Sequence, residues 1–489
     1  MKKWAKLLCC VLMMGFALTT CLAGCATVSN IHNSSEELIY NGNSAVRVDG
    51  YLYYGNAYAD YSSFSTVSDY RTSARVSYLA RLDTNAYEAT SGDYSPTEVD
   101  KVANEVAGHG NDFMFVLGQY IYYATPNTQK ATDADGATAQ YFNYTTIYRS
   151  GLNGNGKTRI YTTNGEVSEM EVLKAGDTYY LVIFAGDTLV KIDLSNNNAE
   201  EIVTGVSSVA MPETYQKDKL GSSLNFNGYI YYTTAREETS SGLTGNVVYR
   251  VALSGGEAER VYGANTDITL VDRKRDVVFY SETRSGTAEI YTADVSDTSS
   301  TLNPFSTKTR FVSASSITNL NTVSRSSENE LGFRDLGYVY TANEALRYST
   351  LDGTKSGAIT LQSEGSEITS YAVLLVSGQT MFVSTSTGIY RVDLSQAFNG
   401  NGGNVTIDCA TVVTMTAIQN SGLYAYDGKY IYFYAQLETV EEDKDSSEEE
   451  TDEETHENYY LYRANASTLD GNYQLLGLTN IESRHTTEE

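Results

Sequence analysis

Short runs in which polar and apolar side chains alternate recur along most of the chain, and Gly-rich or Asx-rich turns separate them. Alternation with a period of two residues is typical of β-strands whose two faces meet different surroundings. One tyrosine-rich version of the run occurs eight times. Its copies are Tyr51–Tyr54, Tyr120–Tyr123, Thr178–Leu181, Tyr229–Tyr232, Val277–Tyr280, Tyr338–Thr341, Thr380–Val383 and Tyr430–Phe433.

Most copies follow a turn signal such as Asp49-Gly50 or Asn227-Gly228, and a second strand pattern comes after each copy. Asx-Gly pairs permit the positive φ angles that tight hairpins require. The second strand patterns are Tyr78–Asp83, Ile147–Arg149, Leu189–Leu194, Val248–Leu253, Ile290–Asp294, Leu346–Leu351, Ile389–Leu394 and Leu461–Arg463. A last strand such as Arg159–Tyr161 or Glu259–Tyr262 then ends the unit.

These units begin 42 to 69 residues apart, a spacing that suits four-stranded propeller blades with insertions. We therefore predict an all-β fold, a β-propeller of about eight four-stranded blades over residues 37–481. Seven blades stay open as an alternative, because a terminal unit can be irregular. We further expect Glu37–Tyr40 to add a strand to the last blade and fasten the ring.

The segment from Asn227 to Gly256 reads NGYIYYTT and later NVVYRVALSGG, and it carries a family resemblance. It resembles bacterial propellers of unassigned function that are similar to the YWTD propellers of low-density lipoprotein receptors. Tyr-Ile-Tyr-Tyr replaces the Tyr-Trp-Thr-Asp strand of those receptors, and Leu351-Asp-Gly353 is the nearest copy of their Leu-Asp-Gly ending. The resemblance implies a propeller fold and an extracellular scaffold, and it implies no reaction.

The N-terminus has the layout of a secretory signal peptide, with Lys2, Lys3 and Lys6 before an apolar run from Leu7 to about Thr20. The run ends in Leu22-Ala-Gly-Cys25, which resembles the bacterial lipobox. We predict a signal peptide over 1–24, lipidation of Cys25 and a tether over 25–36. The expected location is the extracytoplasmic face of the cell membrane, held by a lipid anchor. An ordinary cleaved signal with a chance cysteine is the alternative.

The composition fits strands and turns, with 41 Tyr, 39 Gly and only 4 Pro. The net charge of −27 becomes −30 once the three signal lysines are removed, which argues against nucleic acid as a partner.

Acids are dense over 438–457, and we predict a disordered acidic insertion there, followed by a polar tail over 482–489. Removal of the signal peptide and lipidation of Cys25 would leave Cys409 as the one free cysteine. We expect Cys409 to be a small apolar residue in a strand.

Two motif matches are expected to be false. Gly151–Thr158 satisfies the phosphate-binding P-loop pattern, but a strand pattern follows it where the P-loop needs a helix, so we predict a hairpin turn and no nucleotide. Asp133-Ala-Asp135-Gly136 lacks the remaining ligands of a calcium loop. With four histidines, of which only His109 is expected near a folded surface, neither a Ser-His-Asp triad nor a metal site is supported, and no cofactor is expected.

Tyrosine is the remaining candidate for function. Most motif tyrosines are expected to fill the space between blades, but Tyr54, Tyr123, Tyr232 and Tyr434 are candidates for an aromatic binding rim. The leading hypothesis is a non-enzymatic binding or scaffold lipoprotein whose partner is a protein or a cell-wall glycan. One alternative is a carbohydrate-active enzyme with carboxylates in the propeller channel. A second is a sensor or assembly factor that docks beside a partner.

Overall fold

The three-dimensional structure is a computed structural model. It describes residues 38–40, 45–56, 78–84, 100–104, 113–126, 145–163, 165, 167–212, 228–235, 237–238, 244–263, 266–297, 303–327, 332–415, 418–438, 457–469 and 471–479. The predicted signal peptide, Cys25, the tether, the polar tail and the Asp133–Gly136 motif lie outside these residues, as do all four histidines.

The described residues form eight four-stranded antiparallel blades arranged as a β-propeller, so the predicted fold class is confirmed with eight blades. In each blade the chain runs from an inner strand through a second and a third strand to an outer strand, and the inner strands of neighbouring blades lie against one another around the axis. All eight tyrosine-rich runs fall in the second strand of a blade, and all eight following patterns fall in the third.

A short first strand, β1 (Leu38–Tyr40), precedes the ring. Blade 1 holds β2 (Ala45–Val48), β3 (Tyr51–Asn56), β4 (Tyr78–Asp83) and β5 (Asp100–Asn104). Blade 2 holds β6 (Met114–Leu117), β7 (Tyr120–Pro126), β8 (Thr145–Gly151) and β9 (Thr158–Thr162). Blade 3 holds β10 (Val167–Ala175), β11 (Thr178–Ala185), β12 (Thr188–Asp193) and β13 (Asn198–Val203). Blade 4 holds β14 (Val206–Ala210), β15 (Tyr229–Thr234), the short hairpin β16 (Glu237–Glu238) and β17 (Thr244–Gly245), then β18 (Val247–Ala252) and β19 (Glu259–Gly263).

Blade 5 holds β20 (Asp267–Lys274), β21 (Val277–Arg284), β22 (Thr287–Asp294) and β23 (Thr309–Val312), with a single 3-10 turn at Pro304–Thr307. Blade 6 holds β24 (Thr318–Ser327), β25 (Gly332–Ala342), β26 (Ala345–Thr350), β27 (Ser356–Ser363) and β28 (Ser366–Glu367). Blade 7 holds β29 (Ala372–Ser377), β30 (Thr380–Thr385), β31 (Gly388–Asp393) and β33 (Ala410–Thr414). Its short helix Ser395–Asn399 and β32 (Val405–Asp408) reach back to blade 6, where β32 pairs in parallel with β27. Blade 8 holds β34 (Ile418–Tyr426), β35 (Tyr430–Glu438), β36 (Glu457–Asn465) and β37 (Tyr473–Thr479).

The core is divided into eight apolar clusters among the described residues, one at each junction between consecutive blades. The strand alternation builds them, because successive side chains face opposite neighbours. Tyr53 packs towards blade 2, whereas the next residue, Tyr54, packs towards blade 8. Burial of each large apolar side chain contributes about 1.5–3 kcal/mol, so a blade depends on both of its neighbours.

The ring closes without an exchanged strand. Blade 1 and blade 8 are each built from one continuous stretch of chain, and their junction is a cluster that includes Leu52 and Tyr54 from blade 1 and Tyr432 from blade 8. An ion pair of 3.4 Å between Arg47 Nη1 and Asp427 Oδ2 joins the inner strands there.

The expectation that Glu37–Tyr40 extends the last blade is wrong. Strand β1 instead pairs antiparallel with β6, the inner strand of blade 2, with Leu38 opposite Leu117 and Tyr40 opposite Phe115. It therefore lies on the axial side of that blade. Blade 8 already has four strands of its own, whereas Leu38 gains a buried site in the cluster between blades 2 and 3.

The acidic stretch is flanked by two paired strands. Glu438 ends the second strand of blade 8 and lies opposite Glu457, the first residue of the third strand. The residues between them, 439–456, lie outside the described part of the chain. The two ends of the stretch, Glu438 and Glu457, therefore lie side by side.

Candidate functional site

The two faces of the ring are distinguished by their turns. The turns between inner and second strands share one face with the turns between third and outer strands, because antiparallel neighbours reverse direction at each turn. We call this the inner-turn face. The turns between second and third strands lie on the opposite face.

One position of the second strand lies at the inner-turn face in every blade, and in most blades it is at the start of the tyrosine-rich run. We define this position by strand pairing: it is the residue of the second strand that lies opposite the last residue of the third strand. In blade 1 it is Tyr51, which lies opposite Asp83. That position holds Tyr430, Tyr51, Tyr120, Tyr180 and Tyr229 in blades 8, 1, 2, 3 and 4. It holds Val277, Gly337 and Thr380 in blades 5, 6 and 7. Five consecutive blades therefore carry an arc of tyrosines, which we call the tyrosine arc.

These tyrosines are partly open to solvent. Tyr120 is 43% exposed, and the other four are half-buried. The rings of Tyr51, Tyr180, Tyr229 and Tyr430 lie at the edge of the junction clusters, as Tyr229 does beside the cluster between blades 4 and 5. The arc thus presents aromatic edges and hydroxyl groups, the combination that protein interfaces favour.

A cation lies over the ring of four of the five tyrosines. The guanidinium carbon lies 4.8 Å from the ring centroid for Arg81 on Tyr51, 4.4 Å for Arg149 on Tyr120, 4.0 Å for Arg250 on Tyr229 and 4.5 Å for Arg463 on Tyr430. Each arginine lies on the third strand, diagonally across from its tyrosine. Cation–π attraction in this geometry holds the ring in one orientation.

The cation position of the third strand also joins one blade to the next. Lys191 Nζ donates to the Leu253 carbonyl oxygen at 3.2 Å, and Arg391 Nη1 donates to that of Ala466 at 2.7 Å. Each acceptor is the residue that follows the third strand of the next blade. In blade 1 the Tyr53 hydroxyl makes the equivalent bond, to the Leu152 carbonyl of blade 2 at 2.9 Å. A repeated contact near the inner-turn face therefore joins consecutive blades.

Three of the tyrosines singled out from the sequence do not lie on this surface. Tyr54, Tyr123 and Tyr232 are buried, with at most 2% of each side chain exposed, and each packs against the preceding blade. They are the fourth residue of their run, three residues further along the strand than the arc position. Tyr434 belongs to β35, but its side chain lies outside the described part of the structure.

Sequence reasoning missed the arc although two signals were present. The first residue of the run is Tyr in most copies, and a basic residue recurs in the third-strand pattern, as in Ile147-Tyr-Arg149 and Val248-Tyr-Arg250. A basic residue at the same place in successive repeats indicates a shared contact. Only the strand register shows that this contact is made with the first tyrosine.

A cluster of charged side chains lies on the inner strands of blades 3 and 5. Glu169 and Glu171 lie on β10, and Asp272 and Lys274 lie on β20, where Lys274 Nζ is 3.0 Å from Asp272 Oδ2. The pKa of Glu169 is raised to about 8, first by burial and then by the charges of Asp272 and Glu171, while a hydrogen bond with the Met211 backbone opposes the rise. Blade 4 lies between blades 3 and 5, so β10 and β20 face each other only across the axial side of blade 4. We call these residues the channel carboxylates.

The remaining sequence motifs have structural roles. Gly151–Thr158 is the turn between β8 and β9, with Gly154 and Gly156 at positive φ, so the predicted hairpin is confirmed. Burial raises the pKa of Cys409 to about 11, which leaves its thiol protonated near neutral pH, as expected of a buried apolar residue. Asp352 accepts hydrogen bonds from Thr350 Oγ1 at 2.6 Å and from Thr354, which lower its pKa to about 2 and fix a turn.

Among the described residues there is no group of three or more His, Cys, Asp or Glu side chains placed to hold a metal ion. In the same part of the chain, no helix has the length and apolar character needed to cross a membrane.

No protein-family model and no curated protein matches this chain. Solved structures similar to it include a prolyl endopeptidase, at 10% identity and a TM-score of 0.39, covering 85% of this chain and 52% of that one. Oligopeptidase B from Leishmania major is 12% identical with a TM-score of 0.37, covering 76% of this chain and 48% of that one. TolB from Acinetobacter baumannii is 11% identical with a TM-score of 0.26, covering 66% and 74%. This chain thus spans about half the length of the two peptidases, and these likenesses concern the fold alone.

Proposed function

We propose that this chain is a lipid-anchored, non-enzymatic scaffold of the cell envelope that binds a partner protein through the tyrosine arc. The observation that carries the proposal is the arc itself, in which five consecutive blades place a tyrosine at the same level of one face. Tyrosine and arginine are the residues that concentrate binding energy in protein interfaces.

In this proposal the chain is attached to the membrane by the predicted lipid on Cys25, which would hold the propeller on the extracytoplasmic side. The scaffold is well suited to the task, because three of the four arginines beneath the arc, Arg81, Arg250 and Arg463, are almost fully buried. Arg250 and Arg463 are 4% and 5% exposed. A rigid aromatic surface loses little conformational entropy when a partner binds.

Comparison of two exposed tyrosines tests this proposal. Tyr120 lies in the arc and is 43% exposed, whereas Tyr473 lies on the outer strand of blade 8 and is 42% exposed. The lipidated chain and its Tyr120→Ala and Tyr473→Ala variants are used to recover partners from detergent extracts of the cell envelope. We expect Tyr120→Ala to lower the recovery of one partner about tenfold, a typical interface hot-spot effect, and Tyr473→Ala to leave it unchanged. Equal recovery by all three proteins would contradict a binding role for the arc.

A second candidate function is glycoside hydrolysis, and the channel carboxylates favour it. Glu169, a carboxyl whose pKa is raised to about 8, and Asp272, which is paired with Lys274, form the kind of carboxyl pair that hydrolysis of a glycosidic bond uses. In this proposal Glu169 is the general acid and Asp272 the base or nucleophile. The test is the release of reducing sugar from purified cell-wall glycan. Loss of this release in both Glu169→Gln and Asp272→Asn would support the proposal. The exposed-site control Glu257→Gln should keep it. No release by the unmodified protein would contradict it.

A further inference from the structure

The direction of β1 shows from which face the N-terminal chain enters the ring. Inner strands run towards the inner-turn face, and β1 runs antiparallel to β6. Leu38, the first residue of β1, is paired with Leu117, which lies next to the turn between β6 and β7. Leu38, where the described chain begins, therefore lies near the axis at the inner-turn face, which is the face that carries the tyrosine arc.

The length of chain between Cys25 and Leu38 limits where the membrane can be. Twelve residues separate them, and a fully extended segment of that length reaches about 45 Å. An eight-residue strand such as β11 is about 27 Å long, and a path outwards past four strands adds about 20 Å more. A tether that passed around the outside to the opposite face would be fully stretched before it met a membrane there.

We propose that the propeller stands on the membrane with its inner-turn face towards the lipid, so that the tyrosine arc receives a partner protein that is itself attached to that membrane. This inference rests on the proposed lipid anchor and on the proposed binding role of the arc. The entry point of β1 and the place of the arc are independent observations, and both select the same face.

Two matched cysteine variants measure the orientation. Asp177 and Asp187 are both exposed aspartates in Gly-Asp turns of blade 3, at the inner-turn face and at the opposite face. Each is changed to cysteine in the lipidated full-length chain and labelled with a fluorescent donor, a site-selective reaction because Cys409 is buried. The protein is reconstituted into vesicles that carry an acceptor on their headgroups.

We expect energy transfer to be about twofold or more higher from Asp177→Cys than from Asp187→Cys, since one strand length separates the labels. Equal transfer, as for a propeller lying on its side, or higher transfer from Asp187→Cys would overturn the orientation. Flotation of the chain with vesicles, compared with Cys25→Ser, tests the anchor separately. If the chain does not float, a hexahistidine tag before residue 26 on nickel-chelating vesicles replaces the anchor, and the same comparison decides the orientation.

A photo-crosslinking amino acid at position 120 then tests the partner. We expect the crosslinked protein in the membrane pellet of the cell envelope, in amounts at least tenfold above those from the same amino acid at position 473. Crosslinks found only to soluble proteins would overturn the inference while leaving a binding role for the arc intact. Equal crosslinking from both positions would instead count against the arc itself.

Discussion

Arg463 in blade 8 donates a hydrogen bond from Nη1 to the carbonyl oxygen of Thr84 in blade 1, over 3.3 Å and 379 residues of sequence. The same guanidinium donates to Gln474 Oε1 at 2.7 Å and lies over the ring of Tyr430. Lys191 and Arg391 make the equivalent bond between blades that are neighbours in the chain. The closing junction therefore uses the contact that joins ordinary blades, together with its own apolar cluster.

Replacement of Arg463 with Met is expected to lower the free energy of unfolding by about 2–3 kcal/mol, because a buried carbonyl loses a charged donor and no water replaces it. The measurement is urea unfolding followed by tyrosine fluorescence. Arg310→Met is the matched control, since Arg310 is 65% exposed and its ion pair with Glu289 is screened by solvent. Comparable losses in the two variants would contradict a special role for Arg463 in closing the ring.

Tyr120 and Tyr123 lie three residues apart in one strand but are expected to behave as a surface residue and a core residue. Tyr123→Ala removes a fully buried ring and should cost about 3–5 kcal/mol of unfolding free energy. Tyr120→Ala should cost about 1 kcal/mol or less, the loss of an exposed contact with Arg149. Both are measured by urea unfolding. Similar destabilisation by the two would show that the register of this strand is wrong.

Glu169 should make the stability of the protein depend on pH. Its pKa is raised to about 8 in the folded chain, so the folded state binds a proton that the unfolded state releases above about pH 4.5. The free energy of unfolding should therefore fall as pH rises from about 4.5 to 8. Glu169→Gln removes this term and should be more stable than the unmodified protein by the order of a few kcal/mol at pH 9 and by little at pH 4.

The check is the difference in urea midpoint between Glu169→Gln and the unmodified protein, taken across that pH range. Glu257→Gln, at an exposed position, controls for the loss of one negative charge. A difference that does not change with pH would mean that Glu169 is hydrated like an ordinary surface carboxyl.

The position of β1 is open to a crosslinking test. Ile39 lies opposite Val116, so cysteines at both positions should form a disulfide under mild oxidation. Ile39→Cys combined with Leu423→Cys, on the inner strand of blade 8, represents the arrangement in which β1 fastens the last blade, and no disulfide is expected from it. Proteolysis and mass spectrometry distinguish the products, and a crosslink in the second variant alone would reverse the assignment.

The strands, the turns and the repeat could be predicted from local sequence alone. Alternation along Tyr51–Tyr54 separates one face of a strand from the other, and Asp49-Gly50 supplies the positive φ angles of a tight hairpin, as found at 47° and 83°. Both are properties of a few adjacent residues, so they can be predicted without knowledge of the blades that pack beside them. The hairpin at Gly151–Thr158 was predictable for the same reason, since a strand pattern follows it.

Which tyrosines are open to solvent, and which polar groups lie near one another, depends on contacts between distant parts of the chain. Alternation gives Tyr51 and Tyr53 the same side of the strand, but it does not tell that Tyr51 lies at the edge of a blade while Tyr53 and Tyr54 lie inside it. The level of a residue in a blade depends on register with the strands beside it. Asp272 raises the pKa of Glu169 because the inner strands of blades 3 and 5 both lie beside the axis, and β1 pairs with the inner strand of blade 2. Such contacts join residues that are far apart in the chain, and no local pattern encodes them.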